Sequence, residues 1–267
     1  MQKITPVYAI TLAFVSFMSY AMPLSARPAA TVSKNSNNLP VNFVQQPELP
    51  NNGAPVGRRQ GAAGRGNCAL EPPLTALVPA VNKTLDEGQA KATYVLGKTT
   101  AEHPTFWFYL PYSPKSLRSV EFVLQEGDED VYRTPIAPPQ KPGIVSFRLP
   151  STATPLEIDK QYRWFLKINF NCDSQQLSDG KDYVEGWVQR VQLSPNLTRQ
   201  LEAATPQQRI ALYAENGIWH EALTTLADLR LVDAQDATLQ DDWTELLQST
   251  GLADIASKPI VPCCTLK

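Results

Sequence analysis

Two hydrophobic periods divide the chain. Between residues 74 and 193 apolar side chains recur at every second position: Val120, Phe122 and Leu124 share one face of "SVEFVLQE". In "QYRWFLKINF" Tyr162, Trp164, Leu166, Ile168 and Phe170 do the same, with Arg163, Lys167 and Asn169 opposite. Alternation of this kind predicts strands buried on one side. Together with "LTALVP", "ATYVLG", "TFWFYLP", "DVYRTPI", "GIVSFRLP" and "YVEGWVQRVQL" there are about eight short strands separated by turn residues. That is the pattern of an antiparallel, Ig-like β-sandwich. Long crossover helices are missing from this stretch, which excludes a doubly wound parallel sheet.

At Ser194 the period lengthens to that of a helix. Ser194-Pro195 predicts one start, and Thr205-Pro206 with Gln208 a stronger one: capping hydroxyl, proline at the first helical position, and glutamine three residues after the cap. Gly217 is placed to end this second helix in a left-handed conformation. Trp219, Ala222, Leu223, Leu226 and Leu229 then follow at helical spacing, and Trp243, Leu246 and Leu247, closed by Gly251, mark a third helix after this hairpin. The turn "LYAENGIWHEAL" is similar to that of a tetratricopeptide (TPR) hairpin, with Tyr213 and Trp219 flanking Gly217 and small Ala222 where the helices cross. One hairpin is too little to build a repeat array, so it is expected either to pack on the sandwich or to engage a partner through Tyr213, Trp219 and His220. The fold class is therefore mainly β with α: a sandwich over 68–193, then a helical segment and cysteine-containing tail over 194–267.

The amino end changes the picture of where such a fold resides. Lys3 is the only charged residue before Arg27, and "VYAITLAFVSFM" is a short apolar run followed by small residues. Residues 1–26 read as an export signal, with cleavage after Ala21 or Ala26, or alternatively as a single uncleaved anchor. Once the signal is removed, no integral membrane span is expected. Residues 27–67 are rich in Asn, Pro, Ser and Ala and read as a disordered leader. It ends in "GRRQGAAGRGNC", where Arg58, Arg59 and Arg65 interleave with glycines: an anion-binding loop, or a basic arm leading Cys68 into the fold. In an exported chain the four cysteines, Cys68, Cys172, Cys263 and Cys264, are disulfide candidates.

Candidate chemistry is sparse. The chain has two histidines, His103 and His220, far apart in sequence, and neither a nucleophile elbow nor a metal-binding histidine pattern. No catalytic residue, metal or cofactor is expected. "EGDED" reads as a charged hairpin turn rather than a calcium loop. Trp107 and Tyr109 in "TFWFYL" point opposite to Phe106 and Phe108. They are either a sugar-stacking platform or core. A net charge of −2 gives no reason to expect a nucleic-acid partner.

The phrases "GRRQGAAGRGNC", "PTFWFYLPY", "EFVLQ", "YRWFLKINF", "VEGWVQRV", "ATPQQRIALYAENGIWHEALTTLADLR" and "LLQSTGLADIA" together resemble the cyanobacterial domain of unknown function 928. The resemblance implies an exported protein and supplies no catalytic residue. The expected function is a non-catalytic binding or adaptor protein of the periplasm, cell envelope or exterior, whose partner is another envelope protein. The alternative is an envelope glycan-binding module or glycan hydrolase using the strand around Trp107.

Overall fold

The computed structural model describes residues 41–44, 56–62, 70–85, 90–172 and 179–263. The expected signal segment, Arg65, Cys68 and Cys264 lie outside them. The described chain is mixed and mostly β. Nine strands run in order: β1 Thr75–Ala76, β2 Ala80–Leu85, β3 Ala90–Thr99, β4 Thr105–Leu110, β5 Leu117–Glu126, β6 Glu129–Ile136, β7 Gly143–Arg148, β8 Gln161–Asn171 and β9 Asp179–Arg190. They form a three-stranded sheet, β1-β4-β7, and a six-stranded sheet, β2-β3-β9-β8-β5-β6. β2 is a strand that the reading of the sequence passes over. One pairing departs from the expected antiparallel pattern: β3 runs parallel to β9, with Leu96 opposite Trp187. β3 is followed by β4 in the other sheet, so it meets β9 only through a long connection, and such a connection can close a parallel pair. Glu126 ends β5, Glu129 begins β6, and Gly127 between them has φ 59°, so the acidic run is the charged hairpin turn that was expected.

The sheets face each other through aromatic rings. Phe106 of β4 lies 4.9 Å from Phe122 of β5, Phe108 lies 5.7 Å from Trp164 of β8, and Phe122 lies 4.5 Å from Phe147 of β7. Ring pairs at these separations add to the burial of apolar area. The faces assigned to β5 and β8 hold: Val120, Phe122, Leu124 and the Tyr162-to-Phe170 series are all buried.

Five helices follow among the described residues: α1 Pro195–Ala203, α2 Pro206–Glu215, α3 Trp219–Val232, α4 Ala237–Ser249 and α5 Ala253–Ala256. Their ends follow the sequence signals. Ser194 Oγ accepts from Leu197 N, Thr205 and Gln208 form a complete capping box, and Gly217 and Gly251 have φ 70° and 72°. The helical layer covers the face of β4 turned away from the six-stranded sheet. Trp107 Nε1 donates to Thr224 Oγ1 of α3 at 3.0 Å. Trp219 Nε1 donates to Leu77 O at 2.8 Å, and Phe43, within the expected leader, meets the Trp219 ring edge-on at 5.0 Å. Glu221, in the first turn of α3, accepts through Oε1 from Thr99 Oγ1, Thr100 N, Thr100 Oγ1 and Ala101 N, at 2.7 to 3.1 Å. A carboxylate there also complements the positive end of the helix dipole. The C-terminal tail pairs with β7: Ile144 N donates to Pro259 O and Val261 N to Ile144 O, each at 2.8 Å.

Sheets and helices thus share one apolar cluster, and the described residues fall within a single compact unit. Among the described residues no helix is long and apolar enough to cross a membrane. The disordered leader expected over 27–67 does not extend through 41–44, where Val41 is buried, or through 56–62, where backbone bridges form. Replacing Trp219 by Ala opens a cavity where strands, hairpin and Phe43 meet. A loss of about 3–5 kcal/mol is expected. Far-ultraviolet circular dichroism and tryptophan emission should still report a single transition in denaturant, because the main apolar cluster runs through both layers and only a small second cluster, Leu197, Leu201 and Ile218, lies apart from it.

Candidate binding site

The residues of β8 and β9 that face away from the core build a surface of interleaved rings and charges. On β8 these are Arg163, Phe165, Lys167 and Asn169. On β9 they are Lys181, Tyr183, Glu185 and Trp187. Antiparallel register sets Arg163 opposite Trp187, Phe165 opposite Glu185, Lys167 opposite Tyr183, and Asn169 opposite Lys181. From β5, Ser119 lies opposite Asn169 and Glu121 opposite Lys167. The result is a groove of about 610 Å³ across three adjacent strands.

Rings and cations alternate in this groove and brace each other. The Arg163 guanidinium carbon stands 4.8 Å from the centre of Phe165 and 6.0 Å from that of Trp187, and Lys167 Nζ stands 5.1 Å from Phe165. Cations over ring faces gain from the ring quadrupole, about 0.5–1 kcal/mol at exposed sites. Charges are partly matched: Arg163 Nη2 donates to Glu185 Oε2 at 2.5 Å, and Arg133 reaches Glu121 and Asp130 at 2.7 Å each. Gln125 and Arg133 donate to Asp130 and hold its carboxyl below the usual range, with Lys167 contributing least. Tyr183 is 39% exposed, and Lys181 is exposed.

The Gly-Arg arm supplies the last element. Residues 56–60 thread between β3 and β9 and then reach the other sheet: Gly57 N donates to Thr93 O, Arg58 and Glu185 exchange two backbone bonds of 2.9 Å, and Ala76 N donates to Arg59 O. Its glycines answer to close approach. A Cβ on Gly57 would lie 2.8 Å from Glu185 O, and one on Gly61 would run into Asp182 Oδ2. Asp182 is buried and anchors the arm's end, accepting from Ala62 N, Tyr183 N and Tyr112 Oη. Burial, and then that hydrogen bond, push the Tyr112 phenol well above its usual range. Arg59 turns away from the groove: its guanidinium donates to Thr250 O and Gly251 O past the end of α4, and burial lowers its pKa. Arg58 alone of the pair arrives at the groove, its guanidinium carbon 4.6 Å from the Tyr183 ring centre.

The other predicted site residues lie elsewhere. Trp107, 4% exposed, and Tyr109, 7%, are sealed beneath the helical layer and the tail, so their rings offer no stacking platform. Trp219 is fully buried and His220 nearly so, which removes both from any surface for a partner. Tyr213 is half-buried. The fold does bring His103 and His220 to one small cavity of about 150 Å³, beside Arg148 and Glu221. His103 Nε2 lies 3.1 Å from Ala153 O, and His220 Nδ1 lies 2.9 Å from Thr105 O. His220 Nε2 is buried, and a Cβ on Gly97 would come within 2.6 Å of it. Cys172 and Cys263 are each in a disulfide. Among the described residues no group of His, Cys, Asp and Glu has metal-binding geometry.

The groove was legible in part. Alternation along β8 puts Arg163, Lys167 and Asn169 on its outer face, and the structure adds Phe165 among them, with Tyr183 and Trp187 alternating with Val184 and Val188 on β9. An aromatic interleaved with cations on the polar face of a strand is the signal that marks it.

Burial, opposed by Thr105 O and the charge of Glu221, lowers the His220 pKa below its ordinary 6.5. The unfolded chain therefore takes up a proton below about pH 6.5 that the folded chain refuses, so this residue makes stability fall as pH drops from that point. Denaturant unfolding of the wild type and His220→Gln between about pH 7.5 and 5.5 checks the sign. The variant should lose the smaller share of its stability over this interval.

Residues 58–260 match the family model described as Domain of Unknown Function (DUF928). No curated protein and no solved structure shows a significant match to the chain.

Proposed function

Starting from the premise that the chain belongs to the DUF928 family, we propose that it is an exported, non-catalytic binding protein of the cell envelope, with the β5-β8-β9 groove as its binding face. The observation that carries this reading is the layer of braced rings and cations on that face: an ordered, half-exposed surface that contributes nothing to the core. Export is supported by the short apolar run from Val7 to Met18 and by the oxidised state of Cys172 and Cys263, which suits a periplasmic or extracellular setting. In this reading Cys68 and Cys264 complete the disulfides, the sandwich is Ig-like, the α2-α3 turn is TPR-like but used internally, and the source is cyanobacterial. Nucleic acid is not its ligand.

A second reading keeps an envelope protein as the partner. It is favoured by Leu231 and Val232 at the end of α3, which are 57% and 88% exposed. Deleting the helices cannot decide between the two, because it would strip the core from β4. Point substitutions can. Immobilised wild-type protein should retain a component of its native envelope, Tyr183→Glu should release it, and Val232→Glu should not. The opposite pattern would move the binding face to α3, and retention of the same material by both variants would remove the groove from consideration.

A further inference from the structure

We infer that the ligand of this groove is a carboxylate-bearing glycan, a uronic-acid chain laid across β5, β8 and β9; this rests on the groove being the binding face. Charge comes first. The acids of the groove are engaged, Glu185 by Arg163 and Glu121 by Arg133, while Asp182 faces inward to Tyr112 and the arm. Lys167 and Lys181 form no ion pair among the described residues. The groove therefore presents two ammonium groups with no carboxylate partner among the described residues, Lys167 resting over the Phe165 ring, on a protein whose net charge is −2.

Spacing and residue type narrow the anion. Lys167 and Lys181 occupy diagonal positions on neighbouring strands, Lys181 being opposite Asn169, so their Cα atoms are about 7–8 Å apart. Two separated point charges suit a chain bearing single carboxylates at intervals. A densely sulfated or phosphorylated chain would call for clustered guanidinium forks, whereas Arg163 is taken by Glu185 and Arg58 stands singly over the Tyr183 ring.

The backbone argues against an acidic peptide. β5 and β8 are hydrogen-bonded to a neighbour on both sides, and the outer edge of β9 pairs with β3 from Trp187 to Arg190 and with the arm at Glu185, so along β5 and β8 the groove has no free strand edge on which an extended peptide could pair. Recognition over β5 and β8 runs through side chains alone. The set on offer matches a sugar acid: the Tyr183 ring for an apolar pyranose face, Asn169 and Ser119 for hydroxyls, and the lysines for carboxylates.

Isothermal titration of the folded chain tests this, using oligogalacturonate as probe, neutral dextran oligosaccharide and poly-L-glutamate as comparisons, and low against high salt. Expected are saturable binding of oligogalacturonate that weakens with salt, and much weaker binding of the other two. The double variant Lys167→Gln/Lys181→Gln should weaken oligogalacturonate binding at least about tenfold. Tyr183→Ala should weaken it in low and high salt alike. Thermal melting is followed for each variant; should the double variant melt early, the exposed Lys181→Gln alone carries the test. Absence of oligogalacturonate binding to the wild type overturns the inference, as does binding that the lysine substitutions leave unchanged. Equal or tighter binding of poly-L-glutamate, lost with the same substitutions, overturns the glycan assignment while keeping the groove as the binding face.

Discussion

Strand β4 has no face for water. Phe106 and Phe108 are buried on one side, and Trp107 and Tyr109 on the other, so the strand demands cover from two directions at once. The six-stranded sheet supplies one cover with Phe122 and Trp164. The helices supply the second, with Thr224 satisfying the Trp107 indole and Trp219 bonded to the strand-flanking carbonyl of Leu77. An indole sealed in an apolar layer without an acceptor would carry a desolvation penalty of about 1–3 kcal/mol, so these two bonds also set where the helices sit. The hairpin turn at Gly217 is best understood as part of this roof. Its tight geometry brings α2 and α3 close over a small sheet that would otherwise be left open.

The segment from Val56 to Ala62 performs a related task for the opposite layer. By pairing with Tyr94 and Glu185 in one sheet and Thr75 in the other, it joins the two where β3 and β9 diverge. Glycine is required at positions 57 and 61 because backbone and carboxylate oxygens approach where a Cβ would stand. The same few residues send Arg59 inward to the carbonyls at the end of α4 and Arg58 outward to the Tyr183 ring. One extended segment therefore couples core closure, helix capping and the make-up of the groove.

On the outer face of the six-stranded sheet the interactions are individually small. Phe165 is flanked by Arg163 and Lys167, two residues before and two after it on the same strand, and Arg163 is further tied to Glu185. Long basic side chains carry considerable rotamer entropy, and bracing them against rings spends part of it before any ligand arrives. That pre-organisation distinguishes this face from an ordinary solvated sheet surface, where lysines and arginines extend freely.

Local sequence determined a great deal here: the alternating faces of β5 and β8, the serine and threonine caps of α1 and α2, the left-handed glycines at 217 and 251, and the charged turn after Glu126. Each of these depends on neighbours within a few residues, which is why period and capping chemistry are enough to read them. Tertiary structure decided the rest. It made Trp107, Tyr109, Trp219 and His220 into core, because burial depends on which layer lands on which strand. It turned part of an apparently unstructured leader into an inter-sheet segment, because the partners of Gly57 and Arg58 lie in β3 and β9. It also assembled the groove from side chains on separate strands, since register across strands, set by long-range pairing, is what places Lys167 beside Tyr183 and Lys181 beside Asn169.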